Sequence, residues 1–277
     1  MNKRENRLAF LFIVPSLVGV TLFFFIPFVM SLGHATSDFN GNFVGLENFG
    51  NLFRNDMFRL AIGNTVRFMA IAIPLNIIIP LFIACLLFDL NGSGWLKTVF
   101  MSPLVIPAAC VAFFFQSLFT TNGLLSRIVG ENINWLETDY SFAIVVGVYV
   151  WRNMGFNLIL ALAGFASIPK DYYEWAAVEG MGRVRMFFKI TVVYLVPSLF
   201  IMFVMSFISA FRIFRELYML AGNYPHESIY MIQHFMNNNF ARLNYQNLTT
   251  AAFVMTLAIT VLMVAFFMID KKTEIGE

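Results

Sequence analysis

Long stretches without a charged residue recur along the whole chain, and they constrain its fold more than any other feature. These stretches cover residues 8–32, 68–88, 98–126, 140–151, 153–169, 190–211 and 243–269. Only Arg152 separates the fourth from the fifth, so the two form one helix. About 20 apolar residues in a helix can cross a bilayer, whereas membrane strands alternate over about ten residues. The sequence therefore predicts an all-α polytopic membrane protein with six transmembrane helices.

The composition supports a membrane protein and excludes several other classes. Hydrophobic residues make up 59% of the chain and charged residues only 12%, against about 25% charged in soluble domains. The net charge of +2 provides no basic surface for nucleic acid. Three His and two Cys are too few for a metal cluster or a disulfide framework. No nucleotide-binding glycine motif is present in the sequence, so we expect no cofactor in this chain.

The positions of lysine and arginine predict the orientation in the membrane. The first uncharged run, residues 8–32, is longer than the apolar core of a signal peptide, so we expect a retained first helix. With a cytoplasmic N-terminus, ten Lys and Arg lie in the inner segments and six in the outer ones. This bias predicts that both termini are cytoplasmic, in a multi-pass protein of the cytoplasmic membrane.

The predicted organisation has three parts. Residues 1–34 form an N-terminal cytoplasmic segment with the first helix, residues 60–270 hold helices 2–6, and residues 271–277 form a cytoplasmic tail. Glycine-rich residues 34–67 are expected to contain turns at best. Residues 212–246 are amphipathic and are expected to fold partly back into the membrane plane.

Proline interrupts several of the predicted spans. Pro103 and Pro107 flank only three residues inside the third span. Prolines are generally frequent in membrane helices, which is one explanation. The close pair favours the other explanation, a discontinuous helix of the kind that borders cavities.

Residues 167–189 differ from the rest of the chain because seven of the 23 are charged. Ser167 could cap a helix whose first turn contains Pro169. Glycines at 180 and 182 would end that helix, and a second helix could begin at Arg183. The segment therefore predicts a cytoplasmic helix–turn–helix, which could contact another protein or lie on lipid headgroups.

The same segment resembles the EAA loop of importer-type ABC transporter permeases. The residues that match the family pattern are Glu174, Ala176, Gly180 and Ile190. Trp175 stands where Ala is usual, and two valines replace the usual Leu-Pro after Ile190. The blocks RLAFLFIVPSL, FVGLENF, NTVRF and WRNMGFNLILALAGFASIP are similar to the carbohydrate-uptake branch of that family.

This resemblance implies a type I (MetI-like) ABC importer permease fold and a set of partners. It implies a second homologous permease subunit, two ATPase subunits that hold Mg-ATP, and an extracellular or periplasmic solute-binding protein. The function implied is carbohydrate import by alternating access, with ATP hydrolysed by the partners and not by this chain. The residues expected to couple the chain to the ATPase are Asp171, Glu174, Ala176, Ala177, Gly180, Gly182 and Arg183.

The resemblance and the polar residues of the spans together suggest a solute path. Its candidate residues are Leu104, Trp151, Asn153, Met154, Gly155, Asn157, Ser206, Ser209, Phe211 and Arg212. Asn153 and Asn157 share a helix face, and could instead form hydrogen bonds between helices. Arg152 is expected to be structural. Arg212 and Arg215 could meet an acidic sugar or the binding protein, and we favour their pairing with Glu216 and Glu227.

Three other functions fit the sequence less well. A permease of the same superfamily could carry glycerol phosphate, phosphate or a peptide. A membrane-embedded transferase should show acidic or histidine clusters at a membrane face. A secondary transporter would work without any ATPase.

Overall fold

The computed structural model describes residues 3–89 and 94–274, which are almost entirely helical. The α-helices are α1 (Lys3–Val20), α2 (Ile26–Ala35), α3 (Glu47–Arg54), α4 (Asp56–Asp89), α5 (Gly94–Val105), α6 (Ala108–Phe119), α7 (Leu124–Val129), α8 (Ser141–Ala166), α9 (Lys170–Val178), α10 (Arg183–Met186), α11 (Val192–Arg212), α12 (Phe214–Ala221), α13 (Ile232–Ala241) and α14 (Tyr245–Glu274). The π-helical turns Thr21–Phe25 and Phe187–Thr191 connect α1 to α2 and α10 to α11. Short 3₁₀ turns lie at Trp135–Glu137 and Glu227–Ile229.

Six helical segments of the described chain are long and apolar enough to cross a membrane, which confirms the predicted number. They are Phe12–Ala35, Asp56–Phe88, Ala108–Val129, Ser141–Ala166, Arg183–Ala221 and Tyr245–Phe266. The fourth includes Arg152 without interruption, as expected. A helix satisfies its own backbone hydrogen bonds, which is the condition for crossing hydrocarbon.

The predicted break at the proline pair is present. Helix α5 ends at Val105 and α6 begins at Ala108, with Pro107 in an extended conformation at ψ 144°. Proline lacks a backbone N–H and disfavours helical geometry in the residue before it. The interruption therefore follows from local sequence.

The prediction that residues 34–67 contain only turns is wrong. Asp38 does organise a turn, in which its carboxylate accepts hydrogen bonds from the backbone N–H groups of Asn40 and Asn42. Helix α3 and the start of α4 occupy the rest, and Leu52 and Phe58 are fully buried there. The glycines of this region favour turns, but its apolar residues recur at helical spacing. Burial of the resulting apolar face stabilises a helix despite the glycines.

The chain divides into two compact units, which are residues 1–59 with 235–277, and residues 60–234. In the first unit, Phe28 of α2 stacks on Phe253 of α14 with ring centroids 5.0 Å apart. The sequence-based boundaries at residues 34, 60 and 270 remain a prediction.

Helix α8 is the centre of the second unit, where α5 and α11 pack against it. The buried core residues around α8 are Ala84, Leu87, Leu158, Ala161, Phe165, Leu195 and Met202. Gly155 allows α5 to approach closely, because a Cβ there would lie 2.7 Å from the carbonyl oxygen of Phe100. This arrangement brings the polar positions of α4, α8 and α11 together.

Candidate functional site

A cavity of about 340 Å³ opens in the second unit between α4, α5, α8, α11 and α12. Its size lies at the lower end of the roughly 300–1,000 Å³ that small-molecule sites occupy. Its lining residues are Asn76, Leu104, Arg152, Asn153, Phe156, Asn157, Met205, Ser206, Ser209, Arg212, Ile213, Arg215 and Glu216. The cavity therefore combines amides, hydroxyls and charges in a mostly apolar protein.

A buried hydrogen-bond network forms one wall of this cavity. The Asn157 side-chain amide donates to the backbone carbonyl oxygen of Asn76 at 2.6 Å and to Ser206 Oγ at 2.8 Å. Asn76 also donates to Ser206 Oγ, at 2.9 Å, and the Tyr149 hydroxyl donates to the Ser206 carbonyl at 2.6 Å. Asn157 thus forms hydrogen bonds between helices, which was one of the two roles expected for it. It also lines the cavity.

The network holds α4, α8 and α11 in one arrangement, since burying these polar groups without partners would be costly. Asn76 is 1% exposed, so its amide group lies on the buried side of this network.

An ion pair crosses the cavity wall between α8 and α12. Arg152 Nε lies 3.2 Å from Glu216 Oε1, and the two side chains are 20% and 10% exposed. The expected pairing of Arg212 and Arg215 with Glu216 and Glu227 is therefore wrong. Within residues 3–89 and 94–274, neither arginine forms an ion pair.

Local geometry explains this difference. Neighbouring residues on a helix point in different directions, so Arg215 does not face the carboxylate beside it. Helix α11 ends at Arg212 and α12 begins at Phe214, with Ile213 between them in a helical conformation. Arg152 reaches Glu216 from α8 instead, which agrees with its expected structural role.

The cavity brings together six of the ten predicted path residues, which are Leu104, Asn153, Asn157, Ser206, Ser209 and Arg212. The other four lie elsewhere. The Trp151 ring packs on Phe115 with centroids 5.5 Å apart, and Phe211 contacts Phe207. Gly155 packs against α5, and Met154 is not part of the lining.

The sequence reasoning missed several lining residues, which are Asn76, Phe156, Met205, Ile213 and Glu216. Arg215, which was expected either to meet an acidic sugar or the binding protein or to pair with an acidic residue, also lines the cavity. Asn76 could have been recognised from the sequence as a candidate, because it is an amide within an apolar run between Pro74 and Pro80. The others resemble ordinary membrane-helix residues.

The predicted helix–turn–helix is present between α8 and α11. Gly180 has a φ of +72° and ends α9 in a Schellman motif. In this motif the Gly180 N–H donates to the Ala177 carbonyl at 3.0 Å, and the Met181 N–H donates to the Ala176 carbonyl at 2.9 Å. Helix α10 then begins at Arg183 and continues through the π-helical turn into α11.

The expected role of Ser167 as a helix N-cap is wrong. Helix α9 begins at Lys170 with Pro169 in the N-cap position. The Ser167 hydroxyl donates instead to the Gly164 carbonyl at 2.7 Å, so it belongs to the end of α8. Pro169, the residue immediately before α9, has an extended conformation with ψ 135°. This residue therefore separates α9 from α8.

The surface of this segment is exposed, although its base is anchored. The Tyr173 hydroxyl lies 2.9 Å from Thr191 Oγ1, and Ala176 is buried. Trp175 is 77% exposed and Val178 is 89% exposed. The remaining predicted coupling residues are exposed, and they are Asp171, Glu174, Ala177, Gly180, Gly182 and Arg183. Exposed apolar side chains rimmed by charges are typical of an interaction surface.

Comparisons with known proteins agree with this arrangement. Residues 77–274 match the family described as binding-protein-dependent transport system inner membrane component. The probable ABC transporter permease protein YurN of Bacillus subtilis is 28% identical, over 98% of this chain and 100% of its own length. The trehalose/maltose transport system permease protein MalF of Thermococcus litoralis is 32% identical, over 80% of this chain and 79% of its own.

A solved structure shares the fold. A chain of a bacterial ABC transporter involved in import of the acidic polysaccharide alginate superposes with a TM-score of 0.80. The superposition covers 98% of this chain and 96% of the other, at 20% identity. The family match spans most of the chain, and the fold and the six spans agree with it. The chain is therefore a multi-pass membrane protein that belongs to the family of binding-protein-dependent transport system inner membrane components.

Proposed function

We propose that this chain is one permease subunit of an ABC importer that moves a carbohydrate across the cytoplasmic membrane. A second, homologous permease subunit would complete the channel, and both termini of this chain would be cytoplasmic. Two ATPase subunits would bind and hydrolyse Mg-ATP, so this chain itself would be a transport subunit and not an enzyme. A solute-binding protein would deliver the solute from the opposite side.

The exposed helix–turn–helix of residues 170–186 is the observation that carries this proposal. Three residues join α9 to α8, and α10 continues through a π-helical turn into α11. Helices α8 and α11 also supply Asn157 and Ser206 to the cavity. Movement of a partner docked on this segment would therefore tilt two cavity helices, which is the rigid-body switching that alternating access requires.

The cavity chemistry supports a carbohydrate. Sugar hydroxyls both donate and accept hydrogen bonds, and the lining offers amides, hydroxyls and guanidinium groups beside the Phe156 ring. The named relatives carry trehalose or maltose and alginate according to their descriptions. The charged groups of the cavity keep a second candidate open, a small phosphate ester such as glycerol phosphate.

Reversal of one charge on the helix–turn–helix tests the coupling role. We expect Glu174→Arg to lower recovery of the ATPase subunits with the tagged permease pair by about tenfold, because like charges would meet where opposite charges attract. Copurification in mild detergent, with ATPase activity as a second readout, measures this effect.

Glu131→Arg is the matched control, since Glu131 is also exposed but lies between α7 and α8. This control should copurify normally. Unchanged ATPase recovery and uptake with a stably assembled Glu174→Arg permease would contradict the proposed docking surface.

A further inference from the structure

The cavity wall carries more positive than negative charge. Three arginines and one glutamate line it, and Glu216 is already engaged by Arg152. Two guanidinium groups, those of Arg212 and Arg215, therefore lack a carboxylate partner among the residues that the structure describes. Both lie close to the junction between α11 and α12.

The two arginines are positioned to act together. They are three residues apart across the short junction between α11 and α12, and both line the cavity with exposed side chains. Neither donates a hydrogen bond or forms an ion pair within residues 3–89 and 94–274. A guanidinium group presents paired donors that match the oxygens of a carboxylate, phosphate or sulfate.

From these observations we infer that the transported solute is an anionic carbohydrate. Its negative group would be bound by Arg212 and Arg215. The inference rests on the proposed function, because it names the class of solute for the same cavity. It adds the requirement for a negative charge, which carbohydrate import alone does not include.

The test uses the complete transporter in proteoliposomes, with its second permease subunit, its ATPase and its binding protein. Two sets of probes are compared by ATP-dependent uptake. The neutral set contains maltotriose, cellotriose and xylotriose, and the acidic set contains trigalacturonate, oligomannuronate, glucose 6-phosphate and a sulfated disaccharide. We expect uptake only from the acidic set, and its members distinguish carboxylate from phosphate and sulfate.

Variants connect this selectivity to the two arginines. Arg212→Gln and Arg215→Gln should each lower uptake of the acidic solute by at least about tenfold, the effect of losing a charged hydrogen bond. Arg212→Lys should retain more uptake than Arg212→Gln because it keeps the charge. Arg127→Gln is the control, since Arg127 is exposed on α7 and does not line the cavity.

The outcomes separate this inference from the proposed function. Uptake of a neutral probe would overturn the anionic class but leave carbohydrate import standing. Uptake of neither set, with basal ATPase activity intact, would contradict both. Loss of the second permease subunit from either Gln variant would assign the arginines to the subunit interface and overturn the inference, as would unchanged acidic uptake in both variants.

Discussion

The Gly155→Leu variant is expected to give almost no folded permease. A Cβ at residue 155 would lie 2.7 Å from the Phe100 carbonyl oxygen and 2.9 Å from Met101 Cα. Both are backbone atoms of α5, so no side-chain rotation can relieve the clash. Ordinary overpacking of a protein core costs about 1–3 kcal/mol, and the free-energy cost of this clash should be larger. Such a cost is a large part of a typical folding stability of about 5–15 kcal/mol.

Gly147→Leu is the matched control in the same helix, because a Cβ at residue 147 meets nothing within 4 Å. Size-exclusion chromatography of detergent-solubilised protein and its thermal unfolding temperature measure both variants. We expect the Gly147→Leu protein to behave like the parent. An equally stable Gly155→Leu protein would show that α5 does not pack on α8 at this distance.

The Glu216→Ala variant should lose about 3 kcal/mol of stability. Arg152 would keep its charge with its only described carboxylate partner removed, and breaking a buried pair from one side is strongly destabilising. The Arg152 side chain is 20% exposed and borders the cavity, so water reduces the penalty toward the lower end of the usual range. Thermal unfolding of the purified permease pair measures the loss.

Two further variants test the cause of that loss. The double variant Glu216→Ala with Arg152→Met should recover most of the stability, because it removes both charges and restores apolar volume. Arg59→Ala breaks the pair with Asp56, which is highly exposed, and should change stability little. A double variant as unstable as Glu216→Ala would mean that the unpaired charge is not the cause.

The cavity and the helix–turn–helix are connected through the same two helices. Asn157 on α8 and Ser206 on α11 form a direct hydrogen bond of 2.8 Å. The opposite ends of these helices continue toward the segment that contains Trp175 and Val178. Solute and ATPase partner could therefore each act on the relative tilt of α8 and α11, which is the physical requirement for coupling.

Local features of the sequence predicted the turn inside the helix–turn–helix and the break in the third span. The turn at Gly180 was predictable because a left-handed conformation favours glycine, and the break before Pro107 follows from the missing N–H of proline. Ser167 was misassigned because a serine at a helix boundary can serve the helix before it as well as the helix after it. Only the backbone path around Pro169 decides between the two.

The sequence by itself determined the number of spans, the broken third helix and the exposed helix–turn–helix. Hydrocarbon crossing and backbone geometry depend on residues that are close together in the chain. Only the tertiary structure decided that Arg152 pairs with Glu216, that Asn76 joins Ser206 in one network, and that Arg212 and Arg215 line a cavity. In the described part of the chain, neither of these two arginines has an ion-pair partner. Such pairings depend on which helix faces pack together. Apolar membrane helices do not specify these faces by themselves, and hydrogen bonds between polar groups that are distant in the sequence help to fix them.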